Sequence, residues 1–447
     1  MESIADAART PQQSDDERAI RRRGLTLFLL TVTYFFSYMD RQILAILLEL
    51  IKADLKLSDT QLGLLSGLAF AIFYAGLGIP VARLADRSNR RNIIAWSLAI
   101  WSAMTAMCGL AQNFVQLLLA RIGVGIGEAG SSPPSHSIIA DLYPAEKRAG
   151  AMGIYALGVV LGSGFGTMIG GWLAHLYGWR VAIVAIGIPG IALALLVRAF
   201  VVEPRRGLSE TKPISDAARP SITAGFASLW GNLAARHLVI AVTLTSFIGY
   251  ALTAWAPSYY QRSFGLTLPQ IALILAPILA IVGSISGVVG GKLADRYAKK
   301  HGLHAQAWLV AILKTIAFPF ALALYIVPDV HLALVAYGIA LLFQNSYLGP
   351  TFALIQGLAP LKLRALWAAI TLLVINLIGL GLGPTLIGLL SDLYRPALGA
   401  ESLRYALLTM AAVTPWAIWH YWRAGIHLRT AAATPPTAGK AVASGGL

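Results

Sequence analysis

The feature that most restricts this chain is a succession of apolar runs, several of 18 residues or more, separated by short charged segments. A helix needs about 20 apolar residues to cross a hydrocarbon layer about 30 Å thick. Inside such a layer every backbone amide must find its partner within the protein, so a chain of this pattern spans as helices. Twelve segments can be read, at roughly 25–48, 62–82, 92–111, 115–139, 150–174, 181–201, 237–260, 270–291, 305–326, 331–358, 365–390 and 402–422. Composition agrees. Only 12% of residues are charged and 57% are hydrophobic, whereas soluble domains carry about 25% charged residues. A soluble multidomain protein is excluded.

A net charge of +15 would suit a nucleic-acid binder if the basic residues formed one patch, but they alternate from loop to loop. One set of segments holds Arg9, Arg18, Arg21, Arg22 and Arg23, the Arg83–Arg91 cluster, Lys147, Arg148, the Arg205–Arg236 stretch, Lys292–Lys300, Lys362, Arg364 and the C-terminal tail. The opposite set holds Lys52, Lys56, Arg180, Arg262, Arg395 and Arg404. Such an excess is the positive-inside pattern. It predicts both termini in the cytoplasm and no nucleic-acid partner. The single cysteine, Cys108, leaves no disulfide framework or thiolate metal site. The polar first 24 residues and the long first apolar run predict no cleaved signal peptide. The tail from Thr430 to Leu447, rich in Ala, Thr, Pro and Gly, is expected to be disordered. The compact length suggests a bacterial cytoplasmic (inner) membrane.

A polar stretch with Glu203, Pro204, Arg205, Arg206, Lys212, Pro213, Asp216 and Pro220 divides the pattern. The expected organisation is a cytoplasmic segment 1–24, a six-helix bundle 25–201, a linker 202–235, a second six-helix bundle 236–423 and a cytoplasmic tail 424–447. An internal repeat supports the division. Ala82–Arg91 reads A-R-L-A-D-R-S-N-R-R, and Gly291–Lys300 reads G-K-L-A-D-R-Y-A-K-K. Parallel repeats of this kind occur in secondary transporters. The fourth segment carries Arg121-Ile-Gly-Val-Gly-Ile-Gly-Glu-Ala-Gly. Its G-x-G-x-x-G is no dinucleotide fingerprint, because no strand precedes it. Glycines so spaced in a membrane helix let a neighbour approach closely, and Gly158, Gly162, Gly166 and Gly170 repeat the device in the fifth. Pro133, Pro134 and Pro257 are expected to kink their helices.

The two A-D-R loops and the R-x-G-x-G-x-G segment resemble the signatures of the major facilitator superfamily. Tyr38-Met-Asp-Arg41, G-x-G-E-A-G and Val202-Glu-Pro-Arg-Arg-Gly207 resemble its Spinster branch, which includes transporters of sphingosine phosphates and lysophospholipids. The resemblance covers the N-terminal half well and the C-terminal half mostly through architecture. It implies an all-α integral membrane protein of 12 transmembrane helices, two six-helix bundles rocking about a central path. It also implies a conformational latch of Asp86, Arg87, Arg90, Arg91, Asp295 and Arg296, with Asp86 capping a neighbouring helix and pairing with arginine in the outward-facing state. The other reading of these loops is that they serve topology alone. The first copy departs from the family at Ala82 and Asn89, where glycine is usual. Asn89 is expected to take the left-handed turn in glycine's place.

Four ionisable residues lie near mid-membrane, Asp40 and Arg41 in the first segment and Arg121 and Glu128 in the fourth. Each costs about 2.5–3.5 kcal/mol to insert, so each needs a reason. They form either a structural network or a coupling device. In the second reading Glu128 and Asp40 carry protons, Glu128 being preferred for the glycines around it, and a moving arginine switches their protonation. Arg41 or Arg121 then binds an anionic head group, which the guanidinium fork suits. Tyr34 and Tyr38, one turn apart, would line the path. The C-terminal half offers Lys314, read as snorkelling or a local contact, and the uncharged Gln344, Asn345, Tyr347, Gln356 and Asn376. Of these, Asn345 and Gln356 are assigned to substrate.

A charged half facing an apolar half suits an amphiphilic anion or zwitterion, with lysophospholipid or sphingolipid implied by the branch. The alternative cargo is a drug or an organic-anion metabolite. Tyr250, Trp255, Tyr259 and Tyr260 read as an interfacial belt or else an extracellular gate, and His136 as a packing histidine or else a proton relay. No G-x-x-x-x-G-K-[ST], Ser/His/Asp or H-E-x-x-H arrangement is present. The expectation is therefore gradient-driven transport of a small-molecule or lipid substrate with protons, by a monomer in the bilayer. No enzyme activity, cofactor or metal is expected. A lipid-modifying enzyme and a non-transporting sensor remain the rivals of other classes.

Overall fold

The computed structural model of the protein describes residues 11–209 and 221–433. A short helix, Pro11–Arg21, precedes α1, Arg23–Leu55. Next come α2, Asp59–Ala85, and α3, Arg90–Leu110. Then α4 runs as Phe114–Glu128 and Ser132–Leu142, interrupted just ahead of Pro133 and Pro134. One helical stretch, Ala145–Phe200, holds α5 and α6 on either side of Gly178, whose φ of 81° and ψ of 165° turn the chain. The second half comprises α7, Leu233–Phe264, α8, Leu268–His301, α9, His304–Ile326, and α10, Val330–Leu358. It ends with α11, Arg364–Val374 to Gly383–Leu398, and α12, Ser402–Ala411 and Thr414–Ala433. Eight helical stretches are long and apolar enough to cross a membrane, two of them joining α5 with α6 and α11 with α12; α1 and α4, which carry the four mid-membrane charges, are not among them.

The last helix runs past the expected bound at 423. Alanines 431–433 favour helix, and the Thr430 hydroxyl folds back on the Ile426 carbonyl at 3.0 Å. The expected linker likewise contains a helix, Ile222–Gly231, capped by Ser221. Expectations for 1–10, 210–220 and 434–447 lie outside the described residues.

Packing explains the glycine stripe of α5. It lies along α1, where a Cβ on Gly162 would sit 2.3 Å from the Phe35 carbonyl oxygen and one on Gly166 2.7 Å from that of Met39. Close backbone approach of this kind drives helix association in lipid. The outer surface carries large exposed side chains such as Trp96, Leu119, Ile188 and Val288, which in a membrane face hydrocarbon. Short π-helical segments, Ile278–Val282 in α8 and Ile375–Leu382 in α11, widen those helices where they pass the centre. Such bulges often mark functional sites.

Candidate functional site

A central cavity of about 390 Å³ lies between the halves. The N-terminal half contributes Tyr38, Arg41, Gln42, Ser66, Phe70 and Arg121, so two guanidinium groups face the cavity. The C-terminal half contributes Ser246, Tyr250, Thr253, Ser284, Asn345 and Tyr347 among smaller apolar side chains, with no charge. That wall is richer in hydroxyls than its Leu, Ile, Ala and Val content suggests, because Ser246, Tyr250, Thr253, Ser284 and Tyr347 all line it.

The four charges pair across α1 and α4, each with the far member of the other helix. Arg41 binds Glu128 through Nε at 3.0 Å and Nη2 at 2.8 Å. Arg121 reaches Asp40 Oδ2 at 3.4 Å and the Leu65 carbonyl at 3.4 Å. The Arg41 guanidinium also rests over the rings of Tyr38, Phe70 and Tyr74, within 4.7–5.0 Å of their centres, a favourable place for a partly desolvated cation.

The two acids are not equivalent. Asp40 accepts from Thr105 at 2.6 Å on one oxygen and from Arg121 on the other. Glu128 Oε1 accepts from Ser37 and Arg41, while its Oε2 is buried with no hydrogen-bond partner among the described residues. An unsatisfied buried acceptor is costly, more so when charged.

Not every expected cavity residue faces the cavity. Tyr38, Arg41, Arg121 and Asn345 line it, with Asp40 and Glu128 directly behind the arginines. Tyr34 turns away and stacks on Tyr155 at 4.5 Å, and Gln356 is exposed farther along α10. Lys314 does not snorkel. It is 1% exposed, with its ammonium 4.8 Å from the centre of the Tyr347 ring behind the cavity wall. Trp255, Tyr259 and Tyr260 form no belt either. All three are buried, Trp255 donating to the Pro384 carbonyl and Tyr259 to that of Leu324.

At the end of the molecule away from the termini, an ionic cluster ties the halves together. Arg262 at the end of α7 spans Glu49 of α1 (2.8 and 2.9 Å) and Asp59 of α2 (both contacts 2.7 Å). Lys52 adds a contact to Asp59 at 2.5 Å, and Ser391 of α11 donates to it at 2.6 Å. Asp392 of α11 accepts from the backbone of Asp59 and Thr60, and the Thr385 hydroxyl donates to the Gly63 carbonyl. The path is therefore closed at this end. Charge counting by loops treated Arg262 and Lys52 as topology and passed over Glu49, Asp59 and Asp392. The one local signal was the capping box of Ser58 and Gln61, which places Asp59 at the head of α2.

At the opposite end the loop between α2 and α3 organises around Arg90, which is 1% exposed. It binds Glu203 Oε1 at 2.6 Å, Ser137 at 2.8 Å, the Pro204 carbonyl at 2.7 Å, and Asp141. The Arg91 amide donates to the other Glu203 oxygen at 2.8 Å, and Arg206 donates to the Ala85 and Ser88 carbonyls. This cluster joins the loop to α4 and to the segment after α6, all within one half. The helix α3 has its N-cap at Asn89, whose side chain accepts from the Asn92 amide, and with φ at −72° this residue makes no left-handed turn. Arg87 is exposed, as are Asp295 and Arg296, and these two make no ion pair among the described residues.

The Major Facilitator Superfamily model matches residues 30–384. An "MFS-type efflux pump" of Mycolicibacterium smegmatis is 33% identical over 401 residues, covering 89% of this chain and 91% of the relative. "Protein spinster homolog 1" of Xenopus laevis is 28% identical over 420 residues, 88% of this chain and 78% of the relative. Among solved structures, a "bacterial homolog to human lysosomal transporter, Spinster, in inward-facing and unoccupied conformation" superposes with a TM-score of 0.84 at 30% identity, over 91% of this chain and 98% of that one.

Proposed function

Because the chain belongs to the Major Facilitator Superfamily, we propose that it is a proton-coupled secondary transporter of an amphiphilic anion or zwitterion, a lysophospholipid or sphingolipid by class. The two halves rock to expose the cavity to one side and then the other. The face bearing the termini is the cytoplasmic one, so the state with Arg262 locked against Glu49 and Asp59 is inward-facing. The observation that carries the proton assignment is the bare Oε2 of Glu128. A proton there removes the charge that the site leaves half-satisfied, and frees Arg41 to bind an anionic head group from the cavity. Asp40, satisfied on both oxygens, is the second candidate and the better structural anchor. The uncharged wall of Tyr250, Leu279, Ala280 and Tyr347 suits the apolar part of such a cargo.

A second reading keeps the mechanism and changes the cargo to a drug or organic-anion metabolite. The name of the M. smegmatis relative favours it, and the hydroxyl groups of the C-terminal wall accommodate a more polar molecule.

The test is uptake of a labelled lysophospholipid into proteoliposomes, with and without an imposed pH gradient, for wild type, Glu128→Gln and Asp40→Asn. Protein-dependent, gradient-stimulated uptake that Glu128→Gln abolishes supports both assignments. Uptake no greater than in empty liposomes removes the lipid cargo and turns attention to metabolites and drugs. Stimulation that survives in Glu128→Gln removes the proton site.

A further inference from the structure

A second cavity, of about 450 Å³, lies outside the central path on the surface of the C-terminal half. It sits at the end where the chain termini emerge, between the last turn of α8, the first turns of α9 and the end of α12. Its walls are Tyr297, His301, His304, Trp308, Trp422 and Arg429, with Ala305 and Ile312 completing the lining. Aromatic rings surround one guanidinium here. Trp308 stacks on Trp422 at 5.3 Å and meets His304 edge-on at 4.9 Å, and the Arg429 guanidinium lies 5.8 Å from the Trp308 ring centre.

The seat is built rather than incidental. Trp308 donates its indole hydrogen to the Trp422 carbonyl at 3.2 Å, and it fits against α12 because residue 425 is glycine. A Cβ there would lie 2.2 Å from the indole nitrogen. Charge at the groove is one-sided: Lys299 and Lys300 stand exposed on the last turn of α8, and no carboxylate is among the lining residues. Above the groove the surface turns apolar, with Ile312 and Ile316 exposed along α9, and the turn into α9 presents Leu303, 65% exposed.

We infer that this groove binds an anionic phospholipid. The phosphate sits among Arg429, His301 and His304, the glycerol lies against the Trp308–Trp422 face, and an acyl chain runs along Ile312 and Ile316. Three features select this ligand over a soluble anion. Tryptophan and tyrosine favour the interfacial depth of a bilayer. Basic pockets between membrane helices near the interface recruit anionic head groups. The apolar continuation along α9 has no use for a free phosphate.

The experiment is native mass spectrometry of the full-length protein in detergent, titrated with phosphatidylglycerol or with phosphatidylcholine of the same chains. Wild type is expected to retain phosphatidylglycerol preferentially. Arg429→Gln is expected to weaken that retention about five-fold, the contribution of one basic residue near an anionic surface. Lys362→Gln, an exposed basic residue of the same face outside the groove, is expected to leave it unchanged. Brominated phosphatidylglycerol should quench part of the tryptophan fluorescence, and Trp308→Phe should remove a share of that quenching. Equal retention of the two lipids, or equal losses in Arg429→Gln and Lys362→Gln, overturns the proposal. So does competition by glycerol 3-phosphate at the same concentration, which would make the groove a site for soluble phosphates.

Discussion

Replacing Arg262 by glutamine should release the end of the molecule that the structure holds shut. In the closed arrangement Arg262 makes four contacts of 2.7–2.9 Å to Glu49 and Asp59, and the three side chains are only 15%, 19% and 1% exposed. Removing one partner of a buried ion pair costs about 3–5 kcal/mol, chiefly through the charge left behind. Here Lys52 stays 2.5 Å from Asp59, so that carboxylate is not abandoned and the lower figure applies. Once the halves part at this end, water reaches both acids and the arginine contributes little. Nearly all of the loss therefore falls on the closed state. About 3 kcal/mol moves the ratio of closed to open molecules by about 10²-fold. Spin labels at Lys56→Cys and Thr267→Cys, exposed positions on either side of the cluster, in a Cys108→Ser background, would report the distance across it. Wild type should give one short distance, and Arg262→Gln should add a longer population. An unchanged distance distribution in the variant would refute the assignment of Arg262 as the tie that closes this end.

Other perturbations test other parts of the molecule. Glu128→Gln should abolish stimulation of transport by a pH gradient while sparing exchange of labelled for unlabelled substrate at equal pH; an intact gradient response, measured in the same vesicles, would contradict it. Gly162→Leu should lower the melting temperature in detergent, since the atom it meets at 2.3 Å is the Phe35 backbone oxygen, which cannot swing aside; overpacking of this kind costs about 1–3 kcal/mol. Lys314→Met should raise resistance to unfolding by about 2–3 kcal/mol, because a cation 1% exposed, with its ammonium over the Tyr347 ring, gives up a large desolvation penalty. A lower midpoint in denaturant titration would show that Lys314 has a supporting partner.

What the sequence made legible follows from the range of the interactions involved. Helix number and the two-half division come from local hydropathy, which stays readable even where α1 and α4 carry charges. The four mid-membrane charges stood out because nothing in lipid tolerates them without cause. Their pairing did not. Spacing along α4 puts Arg121 and Glu128 on one side, but only the offset between α1 and α4 sends Arg41 to Glu128 and Arg121 to Asp40. The cluster of Glu49, Asp59, Arg262 and Asp392 was illegible for a similar reason. Each member lies at a helix end, where a charge is unremarkable, and their meeting depends on how the two halves sit against each other. The role of Asn89 was misread because an N-cap and a left-handed turn favour the same residue, and only the dihedral angles separate them.

The location of the charge pairs constrains any coupling mechanism. Arg41 and Glu128 both belong to the N-terminal half, so a rigid rocking of halves leaves their 2.8 Å contact as it is. The cluster at Arg262, by contrast, joins α1 and α2 to α7 and α11, and the proposed rocking of the halves would break it in each cycle. If Glu128 carries the proton, rocking cannot itself force the proton off or on. Something entering the cavity must draw Arg41 away, and the cavity face of that guanidinium, ringed by Tyr38, Phe70 and Tyr74, is where an anionic group would do so. Substrate and proton then compete for one arginine inside one half, while Arg262 reports only whether the halves have closed. Removing the charge of Arg41, as Arg41→Gln, should therefore uncouple proton movement from substrate movement without changing the distance across the Arg262 cluster. A variant that altered both together would place the coupling in the rocking itself.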